Sequence, residues 1–120
     1  MLFRFLSTAF VVVGAFAPLS AEAKSSCGLA SHYGIGDGYH GQTAADGSRF
    51  DAHGLTVASP SLPLGIRLRV VNPANGKTVV VKVTDRGPWH GNRILDLSYG
   101  AFRQLASPSQ GVAKVCFAKV

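Results

Sequence analysis

Period-two alternation of apolar and polar positions dominates the second half of the chain. In IRLRVVN, residues 66–72, Ile66, Leu68 and Val70 fall on one face and Arg67, Arg69 and Val71 on the other, the pattern of a half-buried strand. NPANG, residues 72–76, follows as a hairpin signal, and KTVVVKV is its return strand. GVAKVCFAKV at the C-terminus alternates again, with Ala113, Val115 and Phe117 on one face. GLASHYG (28–34), TVAS (56–59) and RILDLS (93–98) complete a set of six short strands. A helical period fits SYGAFRQLAS: Ser98 is a cap, and Phe102, Leu105 and Ala106 share a face. Between the first two strands lies GIGDGYHGQTAADG, residues 34–47, a loop by composition with five glycines. SLPLG (61–65) reads as a turn. Many short, valine-rich strands separated by turn signals predict a mainly β domain closed into a small barrel, which removes exposed sheet edges.

The N-terminus has a different pattern. MLFRF is a short basic start, LSTAFVVVGAFAPLS is an apolar run too short to span a bilayer comfortably, and AEA presents small residues. This layout predicts a secretory signal over residues 1–23 and a mature domain over 24–120. Cys27 follows Lys24-Ser25-Ser26 rather than a lipobox, so neither a lipid anchor nor a transmembrane helix is expected in the mature chain. The two cysteines, Cys27 and Cys116, lie near the two ends of that domain. In an exported protein they read as a disulfide, which places the first and last strands side by side.

Charge narrows the chemistry. The chain carries 12 Lys and Arg against 6 Asp and Glu, a net charge of +6, which favours polyanionic surroundings. The basic residues are scattered, so no nucleic acid partner is expected. Glu22 is the sole glutamate and leaves with the signal, so acid–base work falls to Asp37, Asp46, Asp51, Asp85, Asp96 or a histidine. His32, His40, His53 and His90 lack metal-ligand spacing; neither a metal nor a cofactor is expected. No Gly-x-Ser-x-Gly elbow is present, and Arg86 in Asp-Arg-Gly excludes the turn of aspartic proteases.

Asp85 is the central candidate. Gly87 and Pro88 must end the preceding strand near it, which leaves its carboxyl group at a strand terminus. Such an aspartate is either a turn-former accepting main-chain hydrogen bonds or an acid whose pKa depends on burial beside Trp89 and on contact with Arg86. Strand alternation directs Arg86 to the opposite face. Composition leaves both roles open.

The segments GLASHYG, YHGQTAADGSRFD, LPLG, NPANGKTVVVKVTDRGP and RILDLSYGAF, in that order, resemble the double-psi β-barrel domain of the rare lipoprotein A (RlpA) family over essentially the whole mature chain. The resemblance implies a six-stranded double-psi β-barrel with one or two short helices, related to expansins. It also implies action on peptidoglycan glycan strands in the periplasm or cell envelope, by a monomer, as a lytic transglycosylase leaving 1,6-anhydro ends. Asp85 would be the general acid/base, and Tyr39, His40, Arg86 and Trp89 would shape the groove. Two departures stand out: Ser48 occupies the position where active members carry Glu, and Ser59 the position where they carry His. Both serines are then expected at the substrate. Asp96 is expected to bond backbone beside the psi crossing. The alternative is an expansin-like module that binds or loosens the wall without cutting it.

Overall fold

The structure is a computed structural model that describes residues 25–89 and 91–120; the expected signal segment and His90 lie outside the described residues. Six strands form the barrel: β1 (Ser26–Tyr33), β2 (Thr56–Ala58), β3 (Arg67–Val71), β4 (Thr78–Asp85), β5 (Arg93–Ser98) and β6 (Val112–Lys119). The sheet closes in the order β1-β5-β2-β4-β3-β6. β1–β5 and β2–β4 pair in parallel, and the other neighbours pair antiparallel. Non-consecutive neighbours on both sides of β2 and β5 require the connections to cross, as the double-psi arrangement does.

Alternation became burial as expected. Leu68 and Val70 of β3, Val79, Val81 and Val83 of β4, Leu95 and Leu97 of β5, and Ala113 and Val115 of β6 all point inward. Each fully buried Val or Leu side chain stabilises the fold by roughly 1.5–3 kcal/mol relative to exposure. At the NPANG hairpin, the Asn72 N–H donates to the Lys77 carbonyl at 2.9 Å, and the Asn72 side chain donates to the Leu105 carbonyl at 3.0 Å. The turn is thereby tied to the segment after β5. β1 and β6 are antiparallel partners with Cys27 opposite Cys116, and a disulfide joins the two.

The helix expected over 98–107 is shorter than its pattern. Only one turn, α1 (Tyr99–Phe102), is helical, and a 3₁₀ turn follows at Pro108–Gln110. Ser98 does cap α1, its Oγ accepting from the Ala101 N–H at 3.2 Å, but the same oxygen also donates to the Gly54 carbonyl at 2.7 Å. Past Phe102 the backbone tightens, the Gln104 and Leu105 N–H groups donating to the carbonyls of Ala101 and Phe102, and the Leu105 carbonyl is taken by the side chains of Asn72 and Asn75. A Cβ on Gly100 would lie 2.5 Å from the His53 carbonyl oxygen, so this contact admits only glycine. Phe102 and Leu105 still reach the core, fully buried.

Candidate active site

A β-bulge sets up the site. Along β4, Val79, Val81 and Val83 face the core, and strict alternation would turn Asp85 inward after them. The β2–β4 ladder slips instead: Val57 pairs with Val83, but Ala58 pairs with Asp85, leaving Thr84 as an extra residue. Bulges re-aim side chains in this way. Asp85 therefore joins Ala58 on the outer surface of the barrel. On its other side Ala58 pairs with Asp96 of β5, and Asp96 pairs with Ser31 of β1. Four adjacent strands thus carry the row Ser31, Asp96, Ala58, Asp85.

Ala58, Asp85 and Asp96 of that row line a cleft of about 350 Å³, together with Tyr33, Tyr39, Arg86, Gly87, Pro88 and Trp89. The glycine-rich loop folds over one edge. Phe50 from this loop stacks on Tyr33, with ring centroids 4.5 Å apart and planes 12° apart, and Tyr39 meets Tyr33 edge-on at 5.6 Å. Trp89 stands at the rim with 73% of its surface exposed, and Tyr39 with 53%. Both present free apolar ring area beside the carboxyl groups.

The two carboxyl groups differ in environment. Asp85 Oδ1 accepts from the Ala45 N–H at 3.1 Å and the Arg86 N–H at 3.0 Å. Its Oδ2 faces the Tyr33 hydroxyl, which donates at 3.4 Å. Main-chain amides therefore hold one oxygen while the other opens to the cleft through a phenol. Asp96, like Asp85, is half-buried. Burial raises its pKa, opposed by the hydrogen bond from the Ser31 hydroxyl at 3.0 Å and by the charges of His32 and Arg93. Burial, then the charges of Asp85 and Asp96, also push the Tyr33 phenol far above its ordinary value. Tyr33 is thus a permanent hydroxyl donor between two acids.

Of the residues expected at the site, Asp85, Tyr39, Arg86 and Trp89 line this one cleft. Arg86 makes no ion pair with Asp85. Its Nη1 donates to the carbonyls of Ser59 at 3.2 Å and Leu62 at 2.7 Å, bracing the 59–62 turn against the end of β4. Among the described residues the one histidine, lysine or arginine nitrogen within 4 Å of a carboxylate oxygen is His40 Nδ1, 4.0 Å from Asp51 Oδ1.

Three of the expected residues lie outside the lining of this cleft. Ser59 is buried, and its Oγ accepts from the N–H groups of Ser61 and Leu62, so it caps a turn. Ser48 lies in the loop with its hydroxyl on Asp46, whose carboxyl it pulls below the ordinary range, away from the cleft lining. His40 accepts from the Ala52 N–H through Nδ1 at 3.1 Å and shapes its own loop. Asp96 differs in the other direction: it accepts from a side chain, not the backbone, and it lines the cleft. Tyr33 and Asp96 are the polar lining residues beyond those expected at the site; Asp96 was among the candidate acids but was expected in a structural role. The signal for Asp96 was its polar position between inward-facing Leu95 and Leu97.

Comparisons with known proteins agree with this architecture. The family model described as lytic transglycolase matches residues 25–117. A probable endolytic peptidoglycan transglycosylase RlpA from Nostoc sp. is 50% identical over 88 residues, 73% of this chain and 24% of that protein. The endolytic peptidoglycan transglycosylase RlpA of Pseudomonas aeruginosa is 43% identical over 95 residues, covering 79% of this chain and 27% of its own. The chain thus spans about a quarter of the length of these two relatives. Among solved structures, an inhibitor of papain from Streptomyces superposes with a TM-score of 0.65 at 27% identity, over 82% of this chain and 96% of its own. A Clavibacter michiganensis expansin in complex with cellohexaose gives 0.64 at 28% identity, over 80% of this chain and 50% of its own. An inhibitor and an expansin on one barrel illustrate that this fold alone does not set function. By the barrel, the cleft and the extent of the match, the chain belongs to the RlpA-like lytic transglycolase family of double-psi β-barrels.

Proposed function

We propose that this chain is an exported, monomeric lytic transglycosylase of the cell envelope that cleaves peptidoglycan glycan strands at the Asp85–Asp96 cleft. The observation that carries the reading is the pairing of two carboxyl groups in different environments within one cleft, beneath exposed Tyr39 and Trp89. Glycoside chemistry ordinarily needs two such groups, one holding its proton and one free to accept. Half-buried Asp96 is suited to hold the proton. Asp85 meets the cleft through Oδ2 and the Tyr33 hydroxyl and is placed to take a proton there.

The reaction needs no water. The acid gives its proton to the glycosidic oxygen as the bond from that oxygen to the anomeric carbon breaks. The C6 hydroxyl of the same sugar attacks the anomeric carbon and closes the 1,6-anhydro ring, and its proton passes to the base. Returning the proton from base to acid resets the site. Trp89 and Tyr39 offer ring faces to the C–H faces of the sugars. The names of the relatives support the substrate class, and the complex of the expansin neighbour with cellohexaose is a precedent for a glycan partner.

The test is digestion of purified sacculi, followed by mass spectrometry of the soluble products. Wild type releases anhydro-ended fragments, and Asp85→Asn and Asp96→Asn each lower the rate about 10²–10⁴-fold. Binding to sacculi without release by wild type would sink the enzymatic reading and leave the wall-binding, expansin-like one.

A further inference from the structure

Arg86 is the one lysine or arginine among the described residues that line the cleft, and it shares that lining with two acids, Asp85 and Asp96. Only part of its guanidinium is engaged. Nη1 donates to the carbonyls of Ser59 at 3.2 Å and Leu62 at 2.7 Å, which uses both N–H bonds of that nitrogen. The other N–H bonds lie on Nε and Nη2, and among the described residues no carboxylate oxygen comes within 4 Å of this guanidinium. The brace on the 59–62 turn therefore holds the group by one nitrogen and leaves the Nε–Nη2 edge without a partner. Two parallel N–H bonds on such an edge match the two oxygens of a carboxylate. Arg86 is half-buried, and a positive charge withdrawn from water without a counterion works against the fold.

We infer that Arg86 pairs with the lactyl carboxylate of muramic acid and makes that charge a determinant of which glycan the cleft accepts. In a peptidoglycan strand every muramic acid carries a lactyl ether, and its carboxyl group is the ionisable group of the sugar itself. Joined to a stem peptide, that carboxyl is a neutral amide. Where the peptide has been removed, it is an anion. Asp85 and Asp96 would repel such an anion, and like charges brought together in this way suppress binding. Arg86 is placed to offset them, with an edge of the right shape. Selection then comes from charge and hydrogen bonding at one residue, and not from the space a stem peptide would fill. The inference rests on the peptidoglycan reading and names the group on the sugar that the cleft selects.

The experiment compares two soluble glycans: strands freed of stem peptides by an amidase, and the same strands with their lactyl carboxylates converted to carboxamides. The carboxamide keeps the shape of the group and removes its charge. Affinity is measured by calorimetry with Asp85→Asn, in which turnover is blocked, and turnover is measured with wild type. Asp85→Asn should bind the carboxylate form about tenfold or more tightly than the carboxamide form, the scale of a hydrogen bond to a charged group. Adding Arg86→Gln should make the two affinities equal. Adding Arg86→Lys instead keeps the charge and a donor for the turn but removes the fork, so the preference should shrink; this variant serves where Arg86→Gln does not fold. Each result is a ratio of two affinities of one variant, so a weakened 59–62 turn that lowers both does not imitate it. Equal affinity of Asp85→Asn for the two glycans overturns the inference with Arg86 untouched. A preference that survives both Arg86 substitutions in full also overturns it, because another group then reads the carboxylate. Preference for the carboxylate form without release of anhydro ends by wild type defeats the enzymatic reading alone. Release at equal rates from the two glycans, bound equally well, defeats this inference alone.

Discussion

At the scale of single residues, Asp96 ties stability to chemistry. Burial raises its folded pKa above the unfolded value. Its contribution is therefore fully present below the unfolded pKa and is lost as pH rises through the folded one. Above that folded pKa a charge is held where a neutral group would be better accommodated. Asp96→Asn keeps an acceptor for the Ser31 hydroxyl and cannot ionise, so its melting temperature should exceed that of wild type by a margin that grows as pH rises through the folded pKa. The margin should shrink toward pH 3, where the wild-type carboxyl is protonated as well. Such a gain in stability paired with a loss of turnover is the behaviour of a functional group that works against the fold. Activity, if Asp96 is the acid, declines on the alkaline side as that group ionises. Tyr33 gives a second prediction. Its hydroxyl donates to Asp85 from a ring clamped by Phe50 and Tyr39, so Tyr33→Phe should leave the barrel folded while lowering kcat. A fall in KM-limited binding alone, with kcat intact, would show that the phenol positions sugar and not the carboxylate.

At the scale of elements, what the sequence made legible and what it hid divide along one physical line. Local pattern reported local structure: inward Leu68 and Val70, the NPANG hairpin and the Ser98 cap all follow from neighbours within a few residues. The end of β4 at Asp85 was legible because proline and glycine act on their own backbone. The neighbour order β5-β2-β4 was not, because it depends on strands that cross in space, and only that order sets Asp96 and Asp85 on either side of Ala58. The bulge at Thr84 was equally hidden. It arises from pairing with β2, and without it Asp85 would follow Val83 toward the core. Ser59 and Ser48 looked like site positions for a related reason: alignment preserved their place along the chain, while their hydroxyls turned to local amides and to Asp46. The elements also rank in importance. Leu95→Ala or Leu97→Ala, in the strand that carries Asp96 and pairs with β1 and β2, should cost about 2–5 kcal/mol in urea unfolding. Val80→Ala, on the exposed face of β4, should cost well under 1 kcal/mol.

At the scale of the whole molecule, closure of the barrel depends on the seam between the first strand and the last. β1 and β6 pair over six registered residues, and the disulfide sits within that ladder. The linked residues are 89 positions apart, so the bridge encloses nearly the whole described domain. In the chain-entropy account, a loop of that length restrains the unfolded state enough to stabilise the fold by roughly 4–5 kcal/mol. A domain of this size has a net stability of about 5–15 kcal/mol, so the bridge is a large fraction of the margin. Cys27→Ser/Cys116→Ser should therefore melt well below wild type and unfold at lower urea, with wild type in reductant moving the same way. The acids of the cleft lie on β4 and β5 with β2 between them, and β1 contributes Tyr33 at the end of the strand opposite to Cys27; the geometry is set by the bulge and the loop after β1. Under conditions where the double variant remains folded, its cleavage of sacculi per folded molecule should match wild type. Loss of activity in a variant whose near-ultraviolet dichroism is unchanged would show that the seam shapes the cleft directly, contrary to the separation of closure and chemistry drawn from the strand order.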